Sequence, residues 1–220
     1  MDYKIEEHKS DLLKIALQSE EKFKARARSI SSYGGAVNMD TTTTRSFLKA
    51  IGSYENFPIT EVEVEPQNSG VITLSPPLSG GIQEVEPRDD DFMIQSLGFL
   101  GSSAGYDIDL DTSSVYENDS MGLVDVQQNG DGPEQLFIAG YGGITEVELS
   151  EGQRTSVREE YLLAMDSTVS YKKISTAGLK EKALGADRNP YLKVTGPGKV
   201  YMHARSPLMS METLSKLSED

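Results

Sequence analysis

Two nearly identical octapeptides, GGIQEVEP at residues 80–87 and GGITEVEL at residues 142–149, stand 62 positions apart. Recurrence at a fixed period marks a supersecondary unit used more than once, and it constrains the fold more than any composition does. Both segments have Gly-Gly, an Ile, and then Glu-Val-Glu, where apolar and charged residues alternate as on a strand with one wet face. A weaker third copy, LLKIALQSEEKF at residues 12–23, keeps apolar residues at Leu12, Ile15 and Leu17 but lacks the glycines. Downstream, Phe99-Leu100 returns as Tyr161-Leu162, with Ile30 near the matching place in the first copy. Each copy is expected to close in a hairpin, over residues 61–75, 122–140 and 190–204. The turns QNSG, QNGDG and GPG supply the Asn, Gly, Asp and Pro that reverse a chain.

These features predict an all-β body of three tandem repeats with pseudo-threefold arrangement: residues 1–78, 79–140 and 141–206, followed by a tail over 207–220. One or two short helices are expected, at SFLKAIGSY (46–54) and GLKEKALG (178–185). In the tail, Leu208, Met211, Leu214 and Leu217 have helix-like spacing, and the segment is read as docking on the body.

Acidity is concentrated in one part of the chain. The formal net charge is −14, from 35 acidic and 21 basic side chains. Residues 54–153 carry 20 of the acidic groups and one cation, Arg88, whereas the two flanking segments are slightly positive. Solvated strand faces explain this pattern; an acidic patch for a basic protein partner or for divalent cations is the sharper reading. Bulk acidity argues against nucleic acid as the default partner, because phosphate contacts need clustered cations. The absence of Cys excludes disulfides, thiolate metal centres and Cys nucleophiles, and two His exclude a His-rich metal site. The longest apolar runs fall far short of a membrane span, and the N-terminal MDYKIEEHKSD lacks the apolar core of a signal peptide. A cytoplasmic location is the expectation.

The third copy carries a family resemblance. LFIAGYGGITEVELSEGQ, YLLAMDSTVSYK, GLKEKALG and YLKVTGPGKVYMHARSP together resemble the altered inheritance of mitochondria protein family, catalogued in bacteria and archaea mainly as a domain of unknown function. The signature positions are Gly142, Gly143, Gly196, Pro197, Gly198 and Arg205. Two departures stand out: the Thr run 41–44 replaces a glycine-rich stretch, and His203 stands where relatives often have Gln. The resemblance implies a three-repeat body similar in fold to the tryptophan RNA-binding attenuation protein, of double-stranded β-helix or sandwich type. It implies no reaction, catalytic residue or cofactor.

Candidate chemistry is sparse. Asp107, Asp109 and Asp111 in YDIDLDTSS would line one strand face and offer oxygens to a hard cation, but the segment lacks the Gly and Glu of an EF-hand loop. The Asp89-Asp90-Asp91 run reads as a turn or strand start. Ser or Thr nucleophiles would need His8 or His203 as base, and each reads better as structural or surface. The glycine stretches GSSAG and GYGG lack the Lys-Ser/Thr ending of a phosphate loop. Lys22, Lys24, Arg26 and Arg28 alternate along KFKARAR and could meet nucleic acid, or the acidic middle of a neighbouring repeat or subunit; the second reading fits the charge pattern better. The functional expectation is a non-enzymatic binding or scaffolding protein, homo-oligomeric and without cofactor. The alternatives are a nucleic-acid binder using the basic strand, and a cation- or small-ligand-dependent enzyme.

Overall fold

The computed structural model describes residues 1–43, 58–86, 91–109, 123–129, 134–174, 191–207 and 209. These are nearly all antiparallel β-structure, as expected. The predicted helices at 46–54 and 178–185, and the tail apart from Pro207 and Met209, lie outside the described residues.

After β1 (Asp2–Glu6) come β2 (Leu12–Leu17), β3 (Lys22–Arg26), β4 (Ile30–Gly35), β5 (Val37–Thr43), β6 (Pro58–Val64) and β7 (Gly70–Leu74). They are followed by β8 (Gly80–Val85), β9 (Asp91–Gln95), β10 (Phe99–Ser103), β11 (Tyr106–Asp109), β12 (Leu123–Gln128) and β13 (Leu136–Tyr141). The last six are β14 (Ile144–Leu149), β15 (Arg154–Arg158), β16 (Leu162–Asp166), β17 (Ser170–Ile174), β18 (Tyr191–Thr195) and β19 (Gly198–His203). A 3-10 turn at Glu159–Tyr161 joins β15 to β16.

Period-two patterning decides which residues turn inward. In β2 the side chains of Leu13, Ile15 and Leu17 are buried; in β3 Phe23 and Ala25 are buried while Lys22 is exposed. In β6, Val62 and Val64 point in and Glu61 and Glu63 point out. Strands β10 and β16 break the alternation, FLGSS and LLAMD being buried along their whole length. Burial on both faces belongs to strands in the middle of covered sheets.

The strands order as β1-β2-β7-β4, β5-β6-β3-β10-β13-β8, β11-β12-β9-β16-β19-β14 and β15-β18-β17. This corrects one expectation. The segments read as closing hairpins are not hairpins: β6 bonds to β3 and β5, whereas β7 bonds to β2 and β4. Likewise β12 and β13 lie in different sheets, as do β18 and β19. Turn residues reverse the chain, but they do not decide whether the two arms bond side by side. Here the arms cross from one sheet to the next, so that Val62 and Val64 share a core with Ile72 and Leu74 instead of a ladder.

Among the described residues, three apolar clusters hold the layers together. One gathers Leu13, Ile15, Phe23 and Leu74 with Phe137 of β13; a second gathers Phe92, Ile94, Phe99 and Leu163 with Tyr201 of β19; a third gathers Val157, Met165, Leu192 and Val200 with Leu123 of β12. Each cluster draws residues from distant stretches of the chain, and each fully buried aliphatic or aromatic side chain contributes about 1.5–3 kcal/mol of transfer free energy. Aromatic edges meet between sheets, Tyr3 on Phe137 at 5.0 Å, and across one sheet face, Phe92 on Tyr201 at 5.7 Å between centroids.

Candidate functional site

His203 ends β19 and is 3% exposed. Its Nδ1 accepts the backbone N–H of Tyr141 at 3.0 Å, so Nδ1 carries no proton and the neutral ring donates from Nε2 to Oε1 of Gln95 at 2.7 Å. One side chain thereby ties β19 to β9 and to the end of β13. Burial pushes its pKa down to about 4. A ring with both nitrogens engaged in holding strands is not placed to activate a nucleophile. Beside it, the Tyr201 hydroxyl is pushed up, by burial first and then by the Glu146 and Asp166 charges.

Signature glycines shape the same region. Gly142, at φ 71, turns β13 into β14, and a Cβ there would stand 2.7 Å from Cγ of Arg205, whose N–H donates to the Tyr141 carbonyl at 3.1 Å. Gly143 follows at φ 125, and the Gly196–Pro197 peptide is cis. Gly198 has φ 135, and a Cβ would meet Thr168 Oγ1 and Val169 Cγ2 at 2.8 Å. Behind it, the buried carboxylate of Asp166 accepts the Lys199 N–H at 2.7 Å. Gly198→Ala is therefore expected to cost on the order of 1–3 kcal/mol, read as a lowered denaturation midpoint. A cost below half a kcal/mol would show that this turn has slack.

The basic strand is turned toward protein groups. Lys22 lies 3.2 Å from its cross-strand partner Glu63; Lys24 donates to the Tyr106 carbonyl at 2.6 Å and lies 3.7 Å from Asp107; Arg26 donates to the Ser96 carbonyl. Arg28 sits in the β3–β4 turn at φ 67, exposed and off that strand. Of the three spaced aspartates, Asp107 is exposed and accepts from the Asn129 amide, Asp109 stands opposite Asp125 in the β11–β12 register, and Asp111 lies outside the described residues. Among the described residues no group of three His, Asp or Glu is placed to hold a metal ion.

A shallow open cleft of about 270 Å³ lies where β9 and β12 face Ser167 and β17, lined by Asp91, Asp125, Gln127, Ser167 and Tyr171 over Phe92. Its carboxylates, amide and hydroxyls suit a small cationic or hydroxylated group. It is smaller than the roughly 300–1,000 Å³ that encloses an ordinary small-molecule ligand. The sequence places Asp91 at a turn or strand start, and it begins β9, but only its pairing with β12 and the approach of β17 bring it to the cleft. Nothing in the local sequence marks Gln95 or Asp166 as facing inward, because each ends an apolar run, FMI or LLAM, where a polar residue reads equally well as the start of a turn.

These observations define the class: an antiparallel all-β body of several packed sheets whose recurrent glycine turns and buried polar residues serve the architecture. The mitochondrial biogenesis AIM24 family matches residues 3–205, and the chain belongs to that family, one of the altered-inheritance-of-mitochondria type whose domain has no assigned function. No curated protein matches. Among solved structures, the X-ray structure of protein SPYM3_0169 from Streptococcus pyogenes is similar in fold, with a TM-score of 0.79 at 15% identity over 98% of this chain and 99% of that one. No helix among the described residues is long and apolar enough to cross a membrane.

Proposed function

We propose that the chain is a non-enzymatic binding or scaffolding protein, built from three copies of one six-stranded unit with β1 as an added strand ahead of the first, and working as a homo-oligomer. The observation that carries the reading is a shared irregularity. Strands β4, β10 and β16 pair with β7, β13 and β19, and each ladder slips once: between Ile30 and Ser32, between Phe99 and Gly101, and between Leu162 and Ala164. A bulge at one site in three sets of strands is a feature of a repeated unit rather than three accidents. The octapeptides agree with it, since Val85 faces Leu136 and Val147 faces Val200. Residues 1–78, 79–140 and 141–206 are the units on this reading, each built as two-sheet layers and joined in succession, with the third seam of the threefold pattern, β15 to β4, not formed among the described residues.

Support for a non-enzymatic role comes from His203, one of the two bases that the sequence offers, which spends both ring nitrogens on strand contacts. Engagement of Lys22, Lys24 and Arg26 by Glu63, Tyr106 and Ser96 favours internal charge matching over nucleic acid. Light scattering over a hundredfold concentration range is the test. A mass at an integer multiple of 24.1 kDa is expected; 24.1 kDa throughout would overturn the oligomeric part.

A further inference from the structure

Among the described residues, β4 and β15 lie at sheet edges although the strands at the matching places in the other sets, β10 and β16 for β4 and β3 and β9 for β15, do not. Between the first and second strand sets, β3 pairs with β10, with Ala25 opposite Gly101, Lys24 opposite Ser102 and Phe23 opposite Ser103. Between the second and third sets, β9 pairs with β16, with Ile94 opposite Ala164, Met93 opposite Met165 and Phe92 opposite Asp166. The strands that remain by this rule are β15 and β4. Among the described residues β4 pairs only with β7, and β15 only with β18. The contrast in burial is sharp: β10 and β16 are buried from end to end, whereas Ser31 to Gly35 of β4 are exposed, with Tyr33 66% exposed. A row of unpaired N–H and C=O groups on a strand edge is a template for another strand.

We infer that β4 of one copy pairs antiparallel with β15 of a second copy of this chain, repeating between molecules the seam formed twice within one. The partner is a second copy because the edge of matching type, β15, is left without that seam among the described residues of a single chain. The shared bulge sets the register: Ser32 takes the place of Gly101 and Ala164, and Val157 that of Ala25 and Ile94. Tyr33 then faces Ser156, and Gly34 faces Thr155. Every copy offers one edge of each kind, so the contact is head-to-tail and builds a closed ring or an open row. This assignment rests on the oligomeric reading above and adds to it the surfaces and their alignment.

The chain has no Cys, which makes the register directly testable. Residues opposite each other in an antiparallel pair have Cα atoms about 4.5–5.5 Å apart, within the range a disulfide spans. A Tyr33→Cys chain is mixed with an affinity-tagged Ser156→Cys chain and oxidised, and the products are separated without reductant. The expected result is a mixed disulfide as the majority product, with a ladder of covalent multimers from the Tyr33→Cys/Ser156→Cys double variant. The seam is overturned if only like chains cross-link, if the thiols stay free, or if the double variant closes on itself as a single-chain species. Light scattering of the unsubstituted protein separates the two readings. An oligomer without the mixed disulfide removes this seam and leaves oligomerisation standing; a monomer removes both.

Discussion

Between pH 6.5 and pH 4 the protein is expected to lose about 3 kcal/mol of folding stability through His203 alone. The sign follows from which state binds the proton. In the unfolded chain the imidazole titrates near its usual value of 6.5, whereas burial holds it at about 4 in the fold. In the window between them the unfolded state takes up a proton that the folded state refuses, so stability falls as pH falls. Above 6.5 neither state is protonated there and the full contribution is present. Protonation in the fold would also place a second N–H against the Tyr141 N–H that Nδ1 now accepts. Chemical denaturation at pH 7 and pH 4.5 measures the loss, and His203→Gln separates it from the titration of carboxylates. The variant removes the titrating group, so its stability should fall by a couple of kcal/mol less over the same interval. Parallel pH profiles for the two proteins would show that His203 does not titrate in this way.

Phe92→Ala is expected to cost roughly 3–5 kcal/mol, the largest effect of any single truncation proposed. The ring is 1% exposed on β9, meets Tyr201 of β19 edge-on at 5.7 Å, and belongs to the cluster that also holds Val126, Ile138 and Leu163. It lies on the seam between β9 and β16, where Phe92 stands opposite Asp166, so surrounding strands pinned by ladders on both sides cannot collapse into the void. Truncation therefore combines lost transfer free energy with a cavity that stays open. Phe92→Leu keeps most of the volume and should cost about 1 kcal/mol. Urea midpoints for the two variants check the ratio, and a Phe92→Ala loss no larger than that of Phe92→Leu would show a loosely packed seam.

Much of the architecture could be read from residue order. The alternation in LLKIAL, KFKAR and EVEV predicts strands with one wet face, and the described residues form them. The family resemblance, carried by the glycine turns around Gly142, Gly143, Gly196 and Gly198, agrees with the match over residues 3–205. Positive φ at Gly142 and Gly198 explains why those positions are so legible: a backbone that a side chain would strain leaves its mark in the residue type itself. Arg28 shows the limit of the same logic. Its spacing from Lys22, Lys24 and Arg26 suggested a single cationic face, but β3 ends at Arg26 and the φ of 67 at Arg28 swings it into the turn.

The candidate sites were far less legible. His203 and Gln95 are 108 positions apart, and nothing local to either says that they meet. Asp91 reaches the cleft only because β12 and β17 come alongside. The expected hairpins failed for a related reason: turn chemistry is local, while the choice of hydrogen-bonding neighbour depends on strands tens of residues away.

By itself the sequence determined the β class, the family, the inward residue on each alternating strand and the places where glycine must turn the chain, because each depends on a residue and its near neighbours. Only the tertiary structure decided which sheet each strand joins, that His203 is buried and bonded on both sides, and that β4 is an exposed edge while β10 and β16 are sealed. Pairing and burial are properties of what lies across the ladder, and that partner is set by packing between segments that the order of residues does not place side by side.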